Sequence, residues 1–168
     1  MNIRDALKGQ YHAALAMLKQ TITDCPDDLW YAGPFTVPFW RVVYHTLYFT
    51  DLYLHQCIED FRPWEHHRGE HHDLPWPADS ATPISDPYSK SDMLEYWRVC
   101  DGKVDRAVDA LDLDAPESGF PWHKMVPKLE HQLHNIRHIQ HHMAILSGRL
   151  RHTNDIEIRW VRSSSATP

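Results

Sequence analysis

PKLEHQLHNIRHIQHHMAILSGRLRHTN, residues 127–154, is the stretch whose reading decides the fold. Leu129, Leu133, Ile136, Met143 and Leu150 recur at helical spacing through it, with no proline after Pro127, so it predicts one long helix ending near Thr153 or Asn154. Three further stretches repeat that pattern upstream. In the first, Ile3, Leu7, Tyr11, Leu15, Leu18 and Ile22 fall on one helical face, and the Cys25-Pro26 step ends it because the residue before a proline is driven out of the helical region. In the second, Thr36 is the expected cap, Pro38 is tolerated in the first turn, and the helix is expected to reach about Glu59. That helix has two apolar faces, Trp40, Val43, Leu47 and Leu54 on one and Val42, Phe49 and Leu52 on the other, so it needs cover on more than one side. The third stretch, from Ser91, carries Leu94, Trp97, Val104, Val108 and Leu111 before DLDAPESGFP breaks it.

Four periodic segments in 168 residues predict an all-α fold, an up-down four-helix bundle, occupying residues 1–162 with a disordered tail at 163–168. Pro26 to Pro34 reads as a loop, and the proline-rich run from Phe61 to Ser89 as a long connection between the second and third helices. Ile156, Ile158 and Trp160 alternate, which suits a short extended segment laid on the helices.

Composition excludes several function classes. Seventeen Lys and Arg against 23 Asp and Glu give a formal charge of -6, with no basic run to follow a phosphate backbone, so nucleic acid is not an expected partner. No apolar stretch is long enough to span a bilayer and MNIRDALKGQ lacks a secretory apolar core, so a cytoplasmic protein is expected. Cys25, Cys57 and Cys100 are too far apart for a zinc knuckle or redox pair and read as reduced thiols. HExxH, GxSxG, phosphate-loop, GxGxxG and ExxH patterns are all absent.

Histidine is the abnormal count, at 14. His131, His134, His138, His141 and His142 crowd the last helix, and His138 and His142 stand one turn apart, where two imidazoles can converge on one ion. His134 and His138 share that spacing. His45, level with Val42, Phe49 and Leu52 in the second helix, is the best candidate for a third ligand. Three neutral imidazoles and one open position is the donor pattern of a catalytic zinc site. Occupancy of such a site is expected to fall below the ordinary histidine pKa of about 6.5. The bland alternative is a set of hydrogen-bonded core histidines. EHHRGEHHD, with His66, His67, His71 and His72, reads as solvated loop, while His12, His55, His123 and His152 read as surface residues. Trp40, Trp97 and Trp122 could line a pocket, although filling the core is their commoner use.

HNIRHIQHHMAILSGRLR, the following DIEIRWV and the earlier WRVVYHTLYFTDLYL together resemble the DinB-like (YfiT-like) superfamily of metal-dependent four-helix bundles. The resemblance implies His45, His138 and His142 as ligands of a divalent ion, zinc or nickel first and iron as a further candidate. It also implies a homodimer, and a reaction in which a small thiol, or water, is activated for transfer to an electrophile. A non-catalytic scaffold and a metal-dependent hydrolase are the alternatives. Met143-Ala144-Ile145 departs from the R-G-Q or T-G-Q of many members, removing a polar side chain near the site. Asp51, Glu130 and Tyr48 are the candidate partners for the second ring nitrogens by nearness in sequence alone.

Overall fold

A computed structural model describes residues 2–74 and 86–163, and among these the chain is all-helical with no strand. Four helices are long: α1 Ile3–Asp24, α3 Phe39–Tyr53, α5 Lys90–Ala110 and α6 Lys128–Asn154. Two are short, α2 Asp27–Tyr31 and α4 Gly69–His72. Single 3-10 turns occupy Ile58–Asp60 and Pro121–His123. Helix α1 packs on α5 and α6, and α3 on α6 and α5, so each long helix buries two faces. No described helix is long and apolar enough to cross a membrane.

Local chemistry explains most boundaries. Asn2 caps α1 by accepting from the Arg4 amide at 3.0 Å. Ser89 and Asp92 form a reciprocal capping box, which starts α5 at Lys90. The expected loop at Pro26–Pro34 contains the one-turn α2, with Asp27 and Asp28 in its first turn, where carboxylates meet free amides. Thr36 does not cap α3, whose capping position is Pro38 with no side-chain bond.

Helix α3 ends at Tyr53, not near Glu59. The groups that would have continued it are used elsewhere: the carbonyls of His55 and Gln56 accept from Lys128 Nζ, and the Ile58 amide donates to Gly119 O at 3.1 Å. Lys128 is fully buried and also reaches Ser118 O, so one ammonium joins the end of α3, the α5–α6 loop and the start of α6. Gly119 has φ +83, and a Cβ there would lie 2.2 Å from Gln56 O, so only glycine lets these two backbones approach.

The core stripe of α5 is Met93, Tyr96, Cys100, Val104 and Val108, with Leu94 and Trp97 only partly covered at its edge. Tyr96 donates to Asp51 at 3.1 Å, and Lys103 pairs with the same carboxylate, which is 1% exposed. Helix α6 differs more from its expected pattern. Its buried stripe runs Lys128, His131, Gln132, Asn135, Ile139, His142, Met143, Leu146, Leu150, while Leu133 is exposed. Two of the polar members are tied to neighbouring helices: Tyr11 donates to Gln132 Oε1 at 2.8 Å, Gln132 donates to Tyr53 O at 2.9 Å, and Asn135 donates to Thr50 O at 3.3 Å, whereas Asn135 Oδ1, His131 Nδ1 and His142 Nδ1 are buried without a partner. Ile3, expected on the core face of α1, is exposed.

Beyond α6 the chain is extended and runs antiparallel to α1, with Gln20 bonded to both backbone groups of Arg159 and Gln10 to Arg162 O. Ile158 is buried there, but Trp160 points into solvent. Of the expected connection at 61–89, residues 75–85 lie outside the described residues, as do 164–168 of the expected tail.

Candidate metal centre

Twelve of the fifteen residues of α3 are buried, and the other three are His45, Tyr48 and Phe49. Their spacing of three and four places them on one face, so the only surface α3 has left over from packing is this stripe. Opposite it, α6 presents His138 and His142. His45 Nε2 lies 3.1 Å from His138 Nε2. The ring centroids are 5.1 Å apart for His45 and His138, 4.6 Å for His45 and His142, and 4.5 Å for His138 and His142. One nitrogen from each of the three rings falls within 4.8 Å of the others, so the residues expected from spacing come together as a group that could hold a metal ion. Ligand nitrogens 2.0–2.1 Å from a tetrahedral ion lie about 3.3–3.4 Å apart, close to the separation seen.

The proton positions are set by what surrounds the rings. His45 Nδ1–H donates to the carbonyl of His72 at 2.6 Å. That bond fixes the tautomer, since a carbonyl only accepts, and leaves the Nε2 lone pair facing His138. Burial pushes the His45 pKa down to about 4, and burial together with the neighbouring imidazoles pushes His138 to about 2 and His142 to about 3. The rings therefore stay neutral well below the 6.5 expected for free histidine, which keeps their lone pairs open to a cation rather than a proton. His138 Nδ1 and His142 Nδ1 are buried without a hydrogen-bond partner.

None of the side chains near in sequence supplies the missing partners. Asp51 is taken by Tyr96 and Lys103, and Glu130 is exposed. Tyr48 stacks on His72 and His67 at 4.5 and 5.0 Å between centroids. The partner of His45 is a backbone carbonyl from α4, which no side-chain pattern announces.

The EHHRGEHHD segment is correspondingly not a solvated loop throughout. His71 is fully buried against Trp40, His67 shares a hydrogen bond with the Tyr44 hydroxyl at 2.5 Å, and Arg41 donates to Asp73 O at 2.9 Å. Only His66 of the four remains exposed. Its neighbours Glu65 and Glu95 make a third grouping of possible ligands, entirely at the surface. His12 and His123 are not free surface residues either: His12 bridges Asp101 and Asp105 at 2.7 and 3.1 Å, and His123 lies 3.2 Å from His131.

Beside the three histidines a cleft of about 440 Å³ is lined by Tyr48, Phe49, Leu52, Tyr53, His72, Asp73 and Trp122. Phe49 belongs to both regions, 4.8 Å from His45 and 5.8 Å from His138 between centroids. Of the three tryptophans considered as pocket lining, Trp122 lines this cleft and donates to the Tyr53 hydroxyl at 3.0 Å, whereas Trp40 is in the core and Trp97 packs on α1. The three thiols are free, and none lines the cleft. Cys25 and Cys100 are buried, and burial raises both, Cys25 to about 12. In comparison with known proteins, the chain matches no family model, no curated protein and no solved structure.

Proposed function

We propose that the chain is an up-down four-helix bundle of the DinB-like kind that holds a divalent ion, zinc or nickel, on His45, His138 and His142, and that it activates a small thiol for transfer to an electrophile. The observation that carries this reading is the His45 contact: Nδ1–H is held by His72 O, so Nε2 offers a lone pair 3.1 Å from His138 Nε2. A neutral His138 protonated on Nε2 would donate across that distance, but a hydrogen bond uses only two rings, and the convergence of His142 on the same point favours a cation. An all-imidazole set suits zinc, nickel, copper or iron over the oxygen-seeking calcium and magnesium.

When bound with an open position, such an ion lowers the pKa of a water or thiol placed on it, making a nucleophile near neutral pH. The chain's own residues then have three tasks. The His72 carbonyl holds His45 in one tautomer and orientation. Phe49 and Tyr48 shield the rings and form the apolar side of the cleft, while Asp73 at its edge offers a carboxylate to a cationic group of the incoming molecule. The buried, weakly acidic Cys25 and Cys100 are outside the cleft, so the thiol comes from a second molecule.

The test is a thermal-shift titration of tag-free, metal-loaded protein with glutathione, bacillithiol or mycothiol. A thiol that binds the folded state at 100 times its dissociation constant adds about 2.7 kcal/mol to stability, and the response should vanish in His138→Ala. No response to any of the three thiols would remove the transferase reading. Turnover of generic esters that stops with chelator would replace it with hydrolysis, and metal retention without either response would leave a scaffold.

A further inference from the structure

The polar half of the α6 stripe contains a second constellation that the proposed function does not use. His131 and His134 stand three residues apart on the first turns of α6, and the 3-10 turn Pro121–His123 brings His123 back against them. His123 Nδ1 lies 3.2 Å from His131 Nε2, and one nitrogen from each of the three rings falls within 4.8 Å of the others. Ring centroids are 4.8 Å apart for His123 and His134 and 5.9 Å for His131 and His134.

From this geometry we infer that His123, His131 and His134 form a second site for a divalent transition metal, separate from the one on His45, His138 and His142.

The 3.2 Å separation suits either a hydrogen bond or two nitrogens on one tetrahedral zinc, roughly 3.3–3.4 Å apart. Two observations favour a cation. A pair needs only two rings, yet the third converges as well, and no carboxylate is among them to hold a protonated imidazole. In addition, His131 is fully buried with Nδ1 unpartnered, while His123 and His134 are half-buried and leave an approach from solvent. Burial holds all three rings in the neutral, metal-binding form, His131 most strongly.

The donor set decides the class of ion. Three imidazoles and no oxygen ligand select zinc, copper or nickel and leave calcium and magnesium unbound. The Lys128 ammonium lies near His131 and opposes a second positive charge, although three carbonyls hold it. This site therefore binds its ion more weakly than the first.

The second site is joined to the cleft through Tyr53. Tyr53, one of the cleft's lining residues, packs edge-on against His131 at 4.6 Å and lies 6.1 Å from His134, while Phe49 one turn earlier on α3 packs against His138.

The experiment is a cobalt(II) titration of tag-free apoprotein followed by visible absorbance, with zinc content of the reloaded, desalted protein measured in parallel. The expected result is two equivalents per chain for the wild type, one each for His138→Ala and His134→Ala, and none for the double variant. His123→Gln, in the 3-10 turn outside α6, repeats the His134 measurement if His134→Ala loses its helical circular dichroism. A single equivalent that disappears in His138→Ala, or a His134→Ala variant with the wild-type count, would overturn the second site. A single equivalent that survives His138→Ala and disappears in His134→Ala would support it while removing the first.

Discussion

Two groups of three histidines share one helix, yet they are held in different ways. His45, His138 and His142 join the middles of α3 and α6, where both helices are regular and one ring is oriented by a backbone carbonyl. His123, His131 and His134 join the start of α6 to a loop, and that loop is held by a buried ammonium and by a glycine in a left-handed conformation. The first group is built into helix packing. The second depends on a network of backbone contacts, so it should be the easier one to disrupt from a distance.

Lys128→Met is the most severe way to test that difference. The substitution fills similar space but leaves the carbonyls of His55, Gln56 and Ser118 buried without their donor. An unsatisfied buried acceptor costs about 1–3 kcal/mol, so a loss of at least about 3 kcal/mol in unfolding free energy is expected by chemical denaturation. The same variant removes the ammonium's repulsion of an ion at the second group but also frees the loop that carries His123, so metal uptake there should change more than at the first group. Equal stability to the wild type would show that water replaces the ammonium and that the loop is not held this way.

Gly119→Ala acts on the same loop through backbone alone. With φ +83 and a contact of 2.2 Å between the new Cβ and Gln56 O, strain and displacement together should cost about 2–3 kcal/mol. His123 would shift with the loop. A His138-dependent metal equivalent that persists while the His134-dependent one is lost would separate the two groups without touching a ligand.

His45→Ala makes the converse test. Loss of a ligand should weaken the first site by more than the roughly 10–100-fold that follows removal of a ligand's hydrogen-bond partner. Competition with a chromogenic chelator would measure it. The second group should keep its affinity within twofold, because His45 belongs to another cluster. A matched fall at both would mean that the clusters are coupled through the cleft.

The contrast also explains what could be read from sequence. The i, i+4 pair His138 and His142 and a histidine inside a helix covered on several sides were legible, because helical periodicity fixes which residues share a face. The fold was legible as all-helical for the same reason, although α3 ends six residues early and α6 has a different buried face. That face was hidden because Lys128, His131, Gln132 and Asn135 are polar, so hydropathy pointed to Leu133, which the structure leaves exposed. His123 was not legible at all. Its approach to His131 depends on the α5–α6 loop, and that depends on contacts to residues about sixty positions earlier, such as Ile58 to Gly119. The one available signal was Gly119 beside a proline-bounded turn, which marks a close backbone approach without naming its partner.

His12 sharpens the comparison with a third environment for the same side chain, and the smallest expected effect. Burial lowers the clustered histidines, whereas the bonds to Asp101 and then Asp105 raise His12 above 6.5. A raised folded pKa means that the folded chain holds the proton more tightly than the unfolded chain does. The stabilisation is therefore complete below about pH 6.5 and is lost as pH rises through the folded pKa. Both carboxylates are partly exposed, so the contribution should be at most about 1 kcal/mol. Taking the difference between the wild type and His12→Ala at each pH cancels the opposite trend of the buried clusters, whose rings make the fold less stable as pH falls below 6.5. Denaturation curves from pH 5.5 to 8.5 should show that difference largest at the acid end and shrinking toward the alkaline end. A difference that instead grows with pH would mean that His12 is neutral in the fold and that its two aspartate contacts are ordinary hydrogen bonds.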